Sequence, residues 1–364
     1  MTGAMYAAIS GLKSHMQKLN VIGNNVANVN TYGYKAARTT FKESLYTTVY
    51  SGSNGTTSIG GVNPSQIGYG CSVGTIDLDM STANYTPTGV DLDCMIDGDG
   101  FFMVGDKPGV NGTSLDVTDA KDLYLTRVGN FKFDSQGYLV DGAGNVVYGF
   151  ATIADGKTAP GIVDPNNNNP GYSTQLVPIR LPLAAKGDGT VAEGTAIYPG
   201  INDTSKMNVY DAAGEDGKST GKVISVDSVS IDGATGKVTA VNKETDEIVV
   251  VGYIALANVS NPAGVTHVQG PYYRAMEGAG DCVAASIGGA VKGYLNNQEA
   301  TTDGAVMVGS TGTTSLITGG LESSGTDLAT EISEMITTQR GYQANTRIIT
   351  VTDSMLEELV NMKR

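Results

Sequence analysis

Two stretches of sustained three-and-four apolar spacing, one at each end, constrain this chain more than anything between them. Near the start, Met5, Ile9, Leu12, Met16, Leu19, Ile22 and Val26 follow that rhythm. Near the end, Leu328, Ile332, Met335, Tyr342, Ile349, Leu356 and Val360 do the same, with Gln339, Thr346 and Asp353 at intervening positions. Such spacing predicts two helices, each with a narrow apolar seam of the coiled-coil kind. Gly325, Thr326 and Asp327 supply a start for the second helix, and Glu331 falls near its first turn. The first helix also carries Gly23, Asn24, Asn25 and Asn28, all poor helix formers. Half-buried seams of six or seven side chains contribute about 10–15 kcal/mol at best, and only against a partner. Alone, such helices are marginal. Spacing by itself leaves two readings open: an amphipathic pair inside a globular domain, or ends that order on association.

Between the ends the pattern changes to short strands and tight turns. Leu123–Val140 alternates as in Phe131, Lys132 and Phe133, interrupted by Asp134-Ser135-Gln136-Gly137, a hairpin loop. Asp141 to Asn145 makes the next turn, and Val249–Leu256 is an apolar run of the length of a buried strand. Glycine, at 49 residues, is nearly twice its average usage, Trp is absent and charged residues are only 16%. The expected class is α+β, mainly β. It combines paired terminal coiled-coil helices, a β-rich middle domain and an inserted small outer β domain. We place an inner helical domain at 1–45 and 321–364 and a linker at 46–70. The middle β domain takes 71–148 and 226–320, and the inserted outer β domain 149–225. That insertion holds a polar loop, Asp164 to Gly171, with four consecutive asparagines. Residues 301–320, rich in Thr and Gly, read as a connection into the last helix.

Charge and side-chain chemistry exclude several classes. The net charge of −14 argues against nucleic-acid binding and against adhesion to anionic lipid. It is unevenly placed: +4 over residues 1–45, −3 over 320–364 and −15 between. Lys13 and Lys18 are therefore expected to face Glu331 and Glu334. No stretch approaches the roughly 18 apolar residues of a membrane span, and the first residues lack the pattern of a secretory signal. Cys71, Cys94 and Cys282 are too scattered for a disulfide framework or a zinc site. Asp91, Asp93, Asp97 and Asp99 form a carboxylate cluster, but without EF-hand spacing, and turn residues flanking a strand explain it better. The two histidines, His15 and His267, offer no triad or metal centre, and Gly233 to Lys237 is too short for a phosphate loop. We therefore expect no catalytic, cofactor-binding or metal site, no cofactor, and no enzyme.

Four segments, in order, resemble one family. Ile9-Ser10-Gly11-Leu12, Val21 to Asn28 and Thr31-Tyr32-Gly33-Tyr34-Lys35 are similar to the N-terminal signature of bacterial flagellar rod and hook proteins. Asp97 to Phe102 resembles their "GxGFF" segment, and Tyr124 to Phe131 with Gly137 to Val140 resembles the hairpin that follows. Gln339 to Ile349 with Leu359-Val360-Asn361 resembles the hook version of the C-terminal motif. The likeness covers about two thirds of the chain.

The resemblance implies a structural subunit of the flagellar hook, a hollow flexible tube that transmits torque from rod to filament. It implies that the terminal seams pack subunits into an inner tube, surrounded by the middle domain. It implies a helical homopolymer that meets the distal rod protein, the hook–filament junction protein and, during assembly, the hook cap. The flagellar type III export apparatus would carry the chain out without a cleaved signal peptide, placing it outside the cell in the hook and basal body. A rod subunit of the same family and an extracellular adhesin or hydrolase remain the alternatives.

Overall fold

A computed structural model describes residues 2–55, 60–107, 122–153, 171–172, 176–187, 191–198, 200–202, 206–208, 219–287, 294–295, 298–299 and 314–362. The chain divides into two compact units, residues 1–80 with 324–364 and residues 81–323. The class is α+β and mainly β, as the sequence predicts, with one helix near each end of the chain.

The terminal unit is built on the helices α1 (Thr2–Ala27) and α2 (Leu328–Met362). Asp327 caps α2: its carboxylate accepts from the Ala329 N–H at 3.1 Å and the Thr330 hydroxyl at 2.6 Å. These bonds, the one from Thr330 foremost, hold its carboxyl below the ordinary value. After α1 the chain turns through Asn28 to Gly33, where Gly33 takes φ +66°, and enters strand Ala37–Glu43. That strand pairs antiparallel with Cys71–Leu78, Ala37 opposite Leu78 and Glu43 opposite Cys71. A second hairpin, Tyr46–Tyr50 with Ser65–Gly68, lies in the segment expected to be a linker. Gly70 joins the two pairs at φ +101°, and a Cβ there would overlap the Ser10 hydroxyl on α1.

The other unit holds the apolar core. Strand Ile248–Val259 is buried along most of its length because neighbours cover both faces, which is why its sequence is continuously apolar rather than alternating. It pairs antiparallel with Lys237–Asn242, Val146–Ile153, Phe101–Gly105 and Cys282–Ser286. Phe102 meets Phe131 edge to face at 5.0 Å, and Met103, Val104, Leu125, Leu139 and Val147 are buried in the same unit. The turn at Asp134 forms as expected. The Asp134 carboxylate accepts from the N–H groups of Gln136 and Tyr138, and Gly137 sits at φ +79°. Asp141 accepts likewise from Ala143 and Asn145.

Where they are described, residues 149–225 divide between this sheet and smaller ones: Gly171–Tyr172 and Val177–Pro178 pair with Val146–Ile153, whereas Leu183–Ala185, Ala196–Ile197 and Ser219–Val223 form a separate three-stranded sheet. Val177 pairs with Gly149, Ile179 donates to the Val147 carbonyl, and Leu176, Ile179, Leu181 and Leu183 are buried. The asparagine loop at 164–170 and residues 301–313 lie outside the described residues. The end of the unit is fastened to its beginning: strand Gly320–Glu322 pairs with Tyr85–Pro87, and Ser315–Thr318 with Cys94–Asp97.

One ion pair is sealed inside this unit. Arg127 and Glu322 lie 3.8 Å apart at 1% and 0% side-chain exposure. The Arg127 guanidinium also donates to the Gly98 carbonyl at 3.0 Å and lies over the Phe101 ring, while Glu322 accepts from the Ala83 N–H at 2.9 Å. Burial pushes the guanidinium down from its usual value, and Glu322 pulls it back up.

Candidate functional site

In the terminal unit, several polar and charged side chains of the two helices meet at defined distances. Helices α1 and α2 pack antiparallel. Gly11 lies beneath Asn345, where a Cβ would stand 2.7 Å from Nδ2, and Gly341 lies beneath His15, where one would stand 2.9 Å from Cε1. Lys18 reaches Glu334 at 3.0 Å and stands 5.9 Å from the centre of the Phe41 ring. Half of the expected charge pairing is therefore present. Lys13 is exposed, and Glu331 takes a different partner.

That partner is Asn25. Its Nδ2 donates to Glu331 Oε1 at 2.8 Å and to the Ala37 carbonyl at 2.9 Å. Its Oδ1 accepts from the Ala37 N–H and the Tyr34 hydroxyl, each at 3.0 Å. A fully buried amide with both its oxygen and its nitrogen engaged ties the end of α1, the turn, the first strand and the start of α2 together. Desolvation, followed by the Glu331 charge, raises the Tyr34 phenol. Desolvation raises the Glu331 carboxyl, opposed by the Asn25 bond. In the sequence Asn25 reads as a poor helix former and as part of the Val21 to Asn28 signature segment. A second signal is its place as a short polar residue near a helix end, followed within a dozen residues by a turn.

Of the two apolar seams, that of α1 lies mostly inward and that of α2 mostly outward. Of the α1 set, Ile22 is buried, Met5, Leu12, Leu19 and Val26 are half-buried, and Ile9 and Met16 are exposed. Of the α2 set, Met335 and Ile349 are half-buried, whereas Leu328, Ile332, Tyr342, Leu356 and Val360 are exposed. The α2 face turned toward its own chain runs through Glu331, Met335, Thr338, Gly341, Asn345, Ile349 and Thr352, mostly small or polar. Its larger apolar side chains point away, including Ile336, Ile348, Val351, Met355 and Leu359.

The helices also differ in length. At about 1.5 Å per residue, α1 spans about 39 Å and α2 about 52 Å. With Gly11 against Asn345, the last two turns of α2 run past the start of α1, and Met362 there is 83% exposed. The hairpin adds a second open surface with Leu45, Tyr46, Val49, Tyr50, Val62 and Ile67 all exposed. Isolated two-stranded hairpins are marginal in water, and contiguous apolar patches of this kind mark association surfaces.

Elsewhere the tempting clusters resolve into structure. Asp93 accepts from the Thr88 hydroxyl at 2.5 Å, and its carbonyl accepts from Gly319. His267 stacks edge-on against Tyr273 at 5.0 Å. Among the described residues no group of His, Cys, Asp or Glu side chains is placed to hold a metal ion, and no helix is long and apolar enough to cross a membrane.

Known proteins share both ends and the whole length. A family profile described as "Flagella basal body rod protein" matches residues 5–35, and one described as "Flagellar basal body rod FlgEFG protein C-terminal" matches 317–362. The chain is 34% identical over 366 positions to the flagellar basal-body rod protein FlgG of Bacillus subtilis, covering 100% of both. The chain belongs to the flagellar rod and hook protein family. Hook relatives align as completely: the flagellar hook protein FlgE of Borreliella burgdorferi is 27% identical over 457 positions, covering 100% of both chains. FlgE of Salmonella typhimurium is 25% identical over 448 positions, covering 98% of this chain and 99% of its own. As a flagellar axial protein the chain is a structural component of the motility apparatus, and the two profiles cover most of α1 with the turn after it and all of α2 with the strand before it.

Proposed function

We propose that this chain is the hook subunit, a structural protein that polymerises into a hollow, flexible tube and transmits torque without catalysis. One observation carries the reading: the terminal unit turns large apolar side chains outward, on α2 and on the hairpin, while the inward face of α2 is mostly small or polar. Burying each such side chain contributes about 1.5–3 kcal/mol. A second copy is the partner that recurs at the same geometry, and repeated head-to-tail contact gives an open helical polymer. The terminal seam residues are the proposed subunit contacts.

The division into inner, middle and outer domains belongs to the same proposal. So do export through the flagellar type III apparatus, placement outside the cell, and contacts with the distal rod protein, the hook cap and the hook–filament junction protein. A rod subunit is the second reading. It is favoured by the identity to the Bacillus subtilis rod protein over an alignment scarcely longer than the chain. Negative-stain microscopy of the purified protein tests both. Supercoiled tubes support the hook, straight rigid tubes support the rod, and a protein that stays monomeric at high concentration overturns the assembly reading.

A further inference from the structure

The contact between α1 and α2 is reciprocal. Gly11 receives Asn345, and Gly341 receives His15. On each helix the glycine stands four residues before the side chain that fills the other helix's glycine, so the two helices exchange one side chain each. A slip of one turn would set each side chain against a residue bearing a Cβ, which makes the exchange a register lock.

His15 is half-buried in this arrangement. Gly341 covers one side, and Phe41 of the strand Ala37–Glu43 meets the ring edge to face at 5.6 Å. The Nδ1 atom is closed off from solvent and has no hydrogen-bond partner among the described residues. A neutral imidazole with its proton on Nε2 tolerates this, because Nδ1 merely forgoes an acceptor role. An imidazolium would place an N–H at Nδ1 with nothing to receive it.

The surrounding charges do not help. Lys18, three residues on, is cationic, and Glu334 across the contact is already engaged by it at 3.0 Å. Glu331 is bonded to Asn25. Arg340 adjoins Gly341 on α2, and Lys42 adjoins Phe41 on the strand. Burial first, and Lys18 second, lower the proton affinity of His15 below its ordinary 6.5.

We propose that His15 is an acid-sensitive latch of the terminal unit: the side-chain exchange with Gly341 holds while the imidazole is neutral, and proton uptake loosens α2 from α1. The folded state binds this proton less readily than the unfolded one. The contact is therefore complete above about pH 6.5 and weakens as pH falls from there through the lower folded value. For each unit between the two values, full protonation lowers the pairing constant about tenfold.

Two histidines in the whole chain make the test direct. In the full-length protein, histidine-selective 15N NMR across pH 4.5–8, with His267→Gln to assign the signals, reads the His15 titration. Hydrogen exchange, corrected for intrinsic rate, reads protection in α1 and α2 over the same range. We expect His15 to titrate below 6.5, helix protection to fall with it, and His15→Gln to give protection that no longer varies over pH 5–7. Lys18→Gln should lessen the loss on acidification. A His15 that titrates at 6.5 or above overturns the latch, as does a His15→Gln chain with the wild-type pH profile. Should His15→Gln fail to fold, the wild-type titration and the Lys18→Gln profile decide the matter.

Discussion

The side-chain amide of Asn25 donates to Glu331 at 2.8 Å across a sequence separation of 306 residues, and this bond joins the last turn of α1 to the first turn of α2. The same amide serves both backbone groups of Ala37 and the Tyr34 hydroxyl. Asn25→Ala would leave the half-buried Ala37 N–H and C=O without that partner. We expect a loss of about 1–3 kcal/mol in the terminal unit, seen as faster hydrogen exchange at Ala37 and in the first turns of α2, with the 81–323 unit unchanged.

Glu331→Gln tests the other end of that bond. The amide keeps an oxygen for Asn25 and removes a charge whose carboxyl is raised by desolvation. A carboxyl raised on folding stabilises most at acid pH, and that contribution is lost as pH rises through its folded value. The variant should therefore equal or slightly exceed the wild type at pH 7, and its stability should vary less between pH 4.5 and 7. Urea unfolding followed by the helical dichroism signal checks the sign. A clear loss at pH 7 would show that attraction to Lys18 outweighs burial.

The sealed Arg127–Glu322 pair should respond asymmetrically. Arg127→Met leaves the Glu322 carboxylate buried opposite an apolar side chain, and a loss of about 3–5 kcal/mol is expected. Adding Glu322→Met removes the stranded charge, and much of the loss should return. Denaturant unfolding of the two single variants and the double variant measures the coupling. Strict additivity would mean that the pair is held independently by its backbone partners at Gly98 and Ala83.

The outward face of α2 should matter to association and little to folding. Replacing Ile348, Val351, Met355 and Leu359 by Gln alters side chains already exposed in the single chain. Each change should move monomer stability by about 0.5 kcal/mol or less. Sedimentation should show polymer formation abolished. Tubes formed normally by the fourfold variant would move the subunit contact to the hairpin.

Much of the architecture was legible because it is local. The helices announce themselves by spacing, the α2 start by Asp327, the turns by Asp134–Gly137 and Asp141–Asn145, and the buried strand by its apolar run from Val249. What escaped depends on partners far along the chain. The segment at 46–70 reads as a connection because its strands hold exposed residues on both faces, with no alternation to detect. Val177 sits in a stretch poor in apolar runs, and pairing with Val146–Ile153 makes a short strand of Val177–Pro178. On α1 the apolar spacing marks mostly inward residues, whereas on α2 it points largely to the outward face, and the inward contact there includes Gly341 and Asn345. Gly129 is another such position: a methyl there would overlap the Cys94 carbonyl oxygen, a constraint invisible until the two segments meet.

The pairing of Gly320–Glu322 with Tyr85–Pro87 has a kinetic consequence. The 81–323 unit is continuous in sequence and can form as soon as its own residues are available. The terminal unit is completed only by residues 324–364, however early α1 is made. Once the continuous unit has folded, its two chain ends are held side by side, and the loop that separates α1 from α2 shortens several-fold. Closing it then costs about 1 kcal/mol less entropy than in the open chain. The β unit thus acts as a timer, in which the helices find each other late and from close range.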